Sequence, residues 1–402
     1  MKFETMKIAD LISEISMGPF GSNIKAECFI DEGIPVLNGS NLDSFVLKEN
    51  SFRYVTEDKA NSLGKANAHR GDVVITHRGT LGQIVFIPQN SLYDRYVISQ
   101  SQLRVKCNER ILPEYLVYYF HTRIGQHKLL SNASQVGVPA LARASTTFQT
   151  IEIEVPDIDI QRKIVDLLET IRQKIEANND INENLVLQAQ AIFVNMFAEN
   201  ENVIPATIAD VTLNVTDGVH NTVYDDPEGE YLLLSCKNIK GGSLNIGSSE
   251  RRISFDTFEK LRRRTKLSKG DILISSVGTV GELLLLNEEP SYFEFQRSVA
   301  MVKPNPEIVS PAYLYESFVF KRSELINAAH GAVQQCLFIS DIAGFPVGIP
   351  QPNELHDFDT TVMPMFDIIS SNEAENQRLA EMRDTLLPKL MNGELDVSNL
   401  DI

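Results

Sequence analysis

The feature that most constrains this chain is that its sequence is written twice. Gly71-Asp72-Val73-Val74-Ile75-Thr76-His77-Arg78-Gly79-Thr80-Leu81-Gly82 returns as Gly270-Asp271-Ile272-Leu273-Ile274-Ser275-Ser276-Val277-Gly278-Thr279-Val280-Gly281, an offset of 199 (270 − 71). Upstream, Ile8-Ala9-Asp10 returns as Ile208-Ala209-Asp210; downstream, Leu112-Pro113-Glu114-Tyr115-Leu116 returns loosely as Ser310-Pro311-Ala312-Tyr313-Leu314, with the order preserved. A period of this size far exceeds any solenoid repeat, so the chain carries a duplicated domain rather than an array. Its 402 residues also exceed one ordinary core, and two large domains are expected.

Within each copy the Gly-Asp block reads as a turn, a buried strand and a second tight turn whose glycines can take positive φ. Apolar runs at Ile84 to Ile87, Ile151 to Val155, Tyr231 to Leu234 and Val299 to Val302 predict further strands, and residues 113 to 130 and 311 to 328 predict helices. Each copy is therefore expected to be α+β.

A long helical segment follows each copy, roughly 158 to 198 and 355 to 392, opened by Pro156 and by Pro350-Gln351-Pro352. In the first, Ile164, Leu168, Ile171, Ile175, Asn178, Asn182, Leu185, Ala189, Ile192 and Met196 alternate steps of four and three, which is a heptad seam. Met365, Ile369, Asn372, Asn376, Leu379, Arg383, Leu386 and Leu390 keep the same rhythm in the second. A helix of about 40 residues is about 60 Å long and needs a partner for its apolar stripe. An antiparallel coiled coil makes the midpoints coincide, so Asn178 and Asn182 would face Asn376 and Asn372, buried amides that cost stability and fix register. Two independent helices, each packed on its own domain, are the alternative. Pro364 and Pro388 are expected to start or bend the second helix. The division expected is a head over 1–157, a spacer helix over 158–198, a second head over 199–354, and a spacer helix with tail over 355–402, with a pseudo-two-fold internal repeat.

Composition narrows the class. With 43% apolar and 23% charged residues the chain is globular rather than disordered. No apolar run reaches the roughly 18 residues of a membrane span, and the start Met1-Lys2-Phe3-Glu4-Thr5 lacks a signal-peptide stretch, so a cytoplasmic location is expected. Cys28, Cys107, Cys236 and Cys336 lie too far apart for a zinc knuckle or redox dithiol, and the scattered histidines suggest no metal site. A net charge of −17 argues against a protein that coats nucleic acid unaided, unless basic residues cluster on one face or partners supply the attraction.

Two similar heads joined by long helices resemble the specificity subunits of type I restriction-modification enzymes. The resemblance rests on the two Gly-Asp blocks with their Gly-Thr-x-Gly turns and on the strand ends Ile153-Glu154-Val155-Pro156 and Gly348-Ile349-Pro350. It rests also on the closing Leu386-Leu387-Pro388-Lys389-Leu390-Met391-Asn392-Gly393-Glu394-Leu395. It implies that each head is a target recognition domain reading one half of a split site in double-stranded DNA, and that the helix pair is a ruler setting the gap. It further implies that the helices dock methyltransferase subunits, two in number, and that a translocating nuclease subunit joins that core. Because the heads differ, the site should be asymmetric. A chain in this role needs no cofactor and does no chemistry of its own.

Base readers need Arg, Asn, Gln, Ser or Thr beside cations that hold phosphates. In the second head Arg251, Arg252, Lys260, Arg262, Arg263, Arg264, Lys266 and Lys269 crowd together. The first has a thinner set, Lys59, Lys65, His69, Arg70, His77 and Arg78, with Thr80 in the same turn. Loops after the first repeated strand bring Asn38, Ser40 and Asn41, and Lys237 and Asn238; as turn formers, these suit capping the chain as well as contacting DNA. Tyr93, Arg95, Tyr96, Gln296 and Arg297 fit surface packing as readily as DNA contact.

The sequence lacks the glycine-rich loop and Asn-Pro-Pro-Tyr-like tetrad of an adenine methyltransferase, Asn305-Pro306-Glu307 being the nearest fragment, and lacks the phosphate cradle of a nucleotide-driven motor. Two rivals stand beside the DNA reader. A protein-binding adaptor predicts no salt-sensitive DNA binding, and a metal-dependent nuclease using Asp225, Asp226, Glu228, Glu230 and Lys237 predicts cutting by the lone chain.

Overall fold

A computed structural model describes residues 2–134, 137–200, 202–247, 249–331 and 335–400. Gly71 and Gly270 take φ of 84° and 90°, which lets the chain turn tightly into the strands Val73–Thr76 and Ile272–Ser275. Both strands are buried throughout because each has a core on either face. Val73 and Ile75 join Leu103, Tyr115 and Phe120 on one side, while Val74 joins Val85, Ile87 and Tyr96 on the other. Ile272 and Ile274 are divided from Leu273 in the same way. Two covered faces explain why these runs are continuously apolar rather than alternating.

In the first head the antiparallel sheet runs Ile12–Met17, Gln102–Cys107, Val73–Thr76, Ile84–Phe86 in spatial order. The second head repeats that order with Thr212–Asp217, Val299–Pro304, Ile272–Ser275 and Leu283–Leu285. Even the register irregularity recurs, between Ile12 and Glu14 and between Thr212 and Asn214. A smaller sheet built on Ile34–Val36 or on Tyr231–Leu234 covers the other face. The Gly-Asp carboxylates brace the main sheets: Asp72 accepts from the His69 amide at 2.9 Å and meets Arg104 on the central strand at 3.3 Å. Asp271 accepts from Ser268 at 3.0 Å and meets Lys303 at 2.7 Å.

The segment expected to be one helix over 113 to 130 is two, Pro113–His121 and Arg123–Leu130. Thr122 ends the first and caps the second by accepting from the Gly125 amide at 3.0 Å. Likewise 311 to 328 divides into Pro311–Phe320 and Arg322–Asn327.

The long helices are Ile158–Phe197 and Pro352–Met391, 40 residues each. The second begins at Pro352, where a missing N–H costs nothing, and continues through Pro364 and Pro388, which sit on its exposed side. These prolines do not mark its start, contrary to one reading of the sequence. The chain forms two compact units, each taking part of both helices. The first unit comprises Met1–Ile175 and Gln377–Ile402. Here Ile164, Val165 and Leu168 share a core with Leu387, Leu390, Met391 and the head residues Tyr115 and Phe148. The second comprises Glu176–Asn376, with Ala189, Phe193 and Phe197 packed against Phe358, Val362, Phe366 and Tyr313. The helix segments run antiparallel within it. Asn178 donates to Asn376 Oδ1 at 2.9 Å and to Glu375 at 2.8 Å, and Asn372 donates to Asn182 Oδ1 at 2.8 Å. Among the described residues no helix is long and apolar enough to cross a membrane.

Candidate nucleic-acid interface

The strand order brings one set of loops together at one edge of each main sheet. In the first head Met17, Gln102 and Thr76 end their strands side by side, Met17 opposite Leu103 and Thr76 opposite Gln102. The loops beyond are tied to one another: Gly18 N–H donates to Gln102 O at 2.9 Å, His77 N–H to Ser101 O at 2.8 Å, and Leu141 N–H to His77 O at 2.9 Å. The second head repeats these ties, Gly218 to Val299 O at 3.1 Å, Ser276 to Ser298 O at 2.9 Å and Leu337 to Ser276 O at 2.8 Å. Backbone scaffolding is thus shared, and the side chains that project from it are not.

Arg78 and Thr80 project from this edge in the first head, beside exposed Gln100. In the second, Arg297 occupies the place of Gln100 and Val277 that of Arg78. Among the described residues neither Arg78 nor Arg297 gives its guanidinium a hydrogen bond or ion pair, so both cations are free for an anion. His77 is buried behind them with Nε2 3.2 Å from Gln100 O, where it braces the loop, and burial lowers its pKa.

The amides expected to read bases are largely spent on their own backbone. Asn41 is fully buried; its Oδ1 accepts from the Asn38 amide at 2.9 Å and its Nδ2 donates to Lys48 O and Asn50 O. Asn38 in turn accepts from the Ser40 amide at 2.8 Å and from the Ser40 hydroxyl. Asn238 does for Ser235 and Asn245 what Asn41 does for its loop. Asn41 and Asn238 are therefore corrected to capping residues, the same device in both heads. Lys237 remains exposed but pairs with Glu250 at 2.9 Å.

The basic cluster of the second head is dispersed rather than one patch. Arg262 turns inward onto Glu294 and the carbonyls of Pro290 and Phe293, stacked 4.9 Å over Phe258, and is corrected to a structural residue. Arg251 pairs with Asp225 at 2.6 Å and Arg252 donates to Gly229 O. Arg263 is exposed beside Glu259, and Lys266 closes the helix Phe255–Thr265 with φ of 50°. Arg264 alone of the cluster is tied to the loop edge, by donating to Asp217 O at 2.8 Å. In the first head Lys65 is exposed over the middle of the sheet, its carbonyl accepting from Ser16. His69 and Arg70 lie at the far end of the Val73–Thr76 strand from Arg78, and Arg70 is engaged by Asp94 and Ser91 O.

Reasoning from sequence did not single out Gln100, and ranked Arg297 no higher than packing. Their promotion depends on which loops meet. Tyr96, by contrast, is core, its hydroxyl bound to Glu49 and its pKa pushed up to about 12 by burial. Of the acids weighed for a nuclease, Asp225 is paired with Arg251 and Asp226 accepts from the Glu228 amide, and among the described residues no group of three or more His, Cys, Asp or Glu could hold a metal ion.

The chain has recognisable relatives. The family model for the type I restriction modification DNA specificity domain matches residues 2–186. The MjaIX type I restriction enzyme specificity subunit of Methanocaldococcus jannaschii is 24% identical over 87% of this chain and 83% of its own length. The HindI specificity subunit of Haemophilus influenzae is 23% identical over 81% and 87%. The crystal structure of the type I restriction-modification system S subunit from M. genitalium superposes with a TM-score of 0.59 at 14% identity, covering 99% of this chain and 97% of that one, so the fold is shared. Over most of its length the chain is similar to type I restriction-modification specificity subunits, and its residues 2–186 match the DNA specificity domain of that family.

Proposed function

We propose that each head reads one half of a split, asymmetric site in double-stranded DNA through its loop edge. Residues 1–157 and 199–354 act as the two target recognition domains. The helical segments 158–198 and 355–402 set the gap between half-sites and dock methyltransferase subunits, two in number, to which a translocating restriction subunit adds.

The observation that carries this reading is the doubled loop edge. Identical backbone ties present Arg78, Thr80 and Gln100 in one head and Arg297 with Thr279 in the other. Side chains of these types hold phosphates or reach base edges, and a different set on the same scaffold reads a different half-site. A chain with a net charge of −17 gains no attraction to DNA from that charge, which fits recognition inside a complex rather than alone.

Mapping methylated bases in the host genome by single-molecule sequencing, with and without this gene, tests the reading. The expected result is loss of methylation at one split motif with two unlike halves. If no motif changes, even when the chain is co-expressed with its methyltransferase subunit, the protein-binding adaptor becomes the better account.

A further inference from the structure

Two aromatic side chains on the loop edges have no structural task. Phe20 is 84% exposed and Tyr224 is 86% exposed, the two highest values among the exposed large apolar side chains of the described residues. A single exposed apolar residue is ordinary and needs no explanation. These two differ because they recur in the same loop of both heads, after Ile12–Met17 and after Thr212–Asp217, although the loops differ in sequence and length.

The loops leave the sheet in the same way. Gly18 and Gly218 lie so close to the segment before the central strand that a Cβ would stand 1.8 Å from Ser99 O or 2.1 Å from Phe295 O. Glycine there fixes the loop against the segments that carry Gln100 and Arg297. Gly21, next to Phe20, is seated on the Gln100 amide, whose Oε1 would lie 2.3 Å from its Cβ. In the second head Arg251, opposite Leu233 in the strand that leads into Ser235–Asn238, donates to Val223 O and so holds Tyr224 beside that loop. Each ring therefore stands in water on a loop that leaves the sheet at the edge assigned above to DNA, Phe20 next to the glycine seated on Gln100 and Tyr224 next to the carbonyl held by Arg251.

We propose that Phe20 and Tyr224 are base-contacting wedges, each placing its ring against a base or base step of the half-site its head reads. An aromatic face gains by stacking on any base and an apolar ring by entering a loosened step, whereas the neighbouring cations hold the phosphates. This rests on the reading of the loop edges as the DNA interface.

The test uses the chain assembled with its methyltransferase subunits and a duplex carrying the mapped site, with 2-aminopurine placed in turn along one half. Phe20→Ala is expected to weaken binding about tenfold, the scale of one lost stacking contact. It should also abolish the 2-aminopurine signal in one half-site only. The slope of affinity against salt should stay unchanged, while Arg78→Ala should lower that slope by about 0.9 for the phosphate it holds. Phe20→Trp should restore binding, and thermal melting should not move in either Phe20 variant, because the ring packs on nothing. Unchanged affinity and signal in Phe20→Ala, with wild type binding normally, would overturn the wedge alone. Loss of co-purifying methyltransferase from Phe20→Ala would overturn it in favour of a protein contact. Failure of the wild-type complex to bind the duplex would bring down the reading of the edges and the wedge with it.

Discussion

Glu316 gives the second unit a stability that should fall as pH rises. It lies on the helix Pro311–Phe320, 1% exposed, and among the described residues neither carboxylate oxygen has a hydrogen-bond partner. Burial alone pushes its pKa from the ordinary 4.5 up to about 8. Between those values the unfolded chain gives up the proton while the folded chain keeps it, so the unfolded state is favoured progressively with pH. The cost is about 1.4 kcal/mol per pH unit, or about 3 kcal/mol by pH 7, and it levels off above the folded value. Glu316→Gln removes the titration but keeps the shape and an uncharged polar tip. The variant should match wild type near pH 4.5, apart from a constant offset, and exceed it increasingly up to pH 8. Urea unfolding at several pH values, with hydrogen exchange read on residues 311–320, measures the difference. Parallel wild-type and variant curves would refute the argument, since they would mean that Glu316 is ionised in the fold or reached by water. The first head meets the same position differently: there Tyr118 donates to Glu169 at 2.6 Å and leaves no buried acid unpartnered.

Three further outcomes follow from the packing. Asn178→Ala should cost about 2 kcal/mol in urea unfolding, because the amide of a fully buried residue no longer donates to Asn376 and Glu375. Asp271→Ala should destabilise its unit by about 3 kcal/mol, having left Lys303 without a carboxylate, and by more than Asp72→Ala does, because Arg104 keeps Glu14 at 2.6 Å. Leu390→Ala should cost about 3 kcal/mol and loosen hydrogen exchange in the helix Pro113–His121, since both belong to one core despite their distance in sequence.

Periodic and repeated features were legible from residues alone because they depend on neighbours a few positions away. The steps of four and three put Ile164, Leu168, Ile171, Asn178 and Ala189 on one stripe, and all five are buried. The twin Gly-Asp blocks likewise predicted twin strands, and the glycines after them do take positive φ. What local pattern could not supply was the partner of each polar group. Asn41 looks like a base reader until Lys48 and Asn50 fold back onto it, and Arg262 looks like one of several surface cations until Glu294 arrives from another strand.

The duplication, the α+β heads and the paired long helices were all legible in the spacing and order of residues. Which loops share an edge emerged from the fold alone, because it follows from a strand order in which the last of the four strands in sequence, Gln102–Cys107, lies between the first and the Gly-Asp strand. That nonlocal pairing brings the loops that carry Phe20, Arg78 and Gln100 to one end of the sheet and leaves Arg70 at the other. Burial then separates the cations that are free to meet a phosphate from those already committed to a carboxylate.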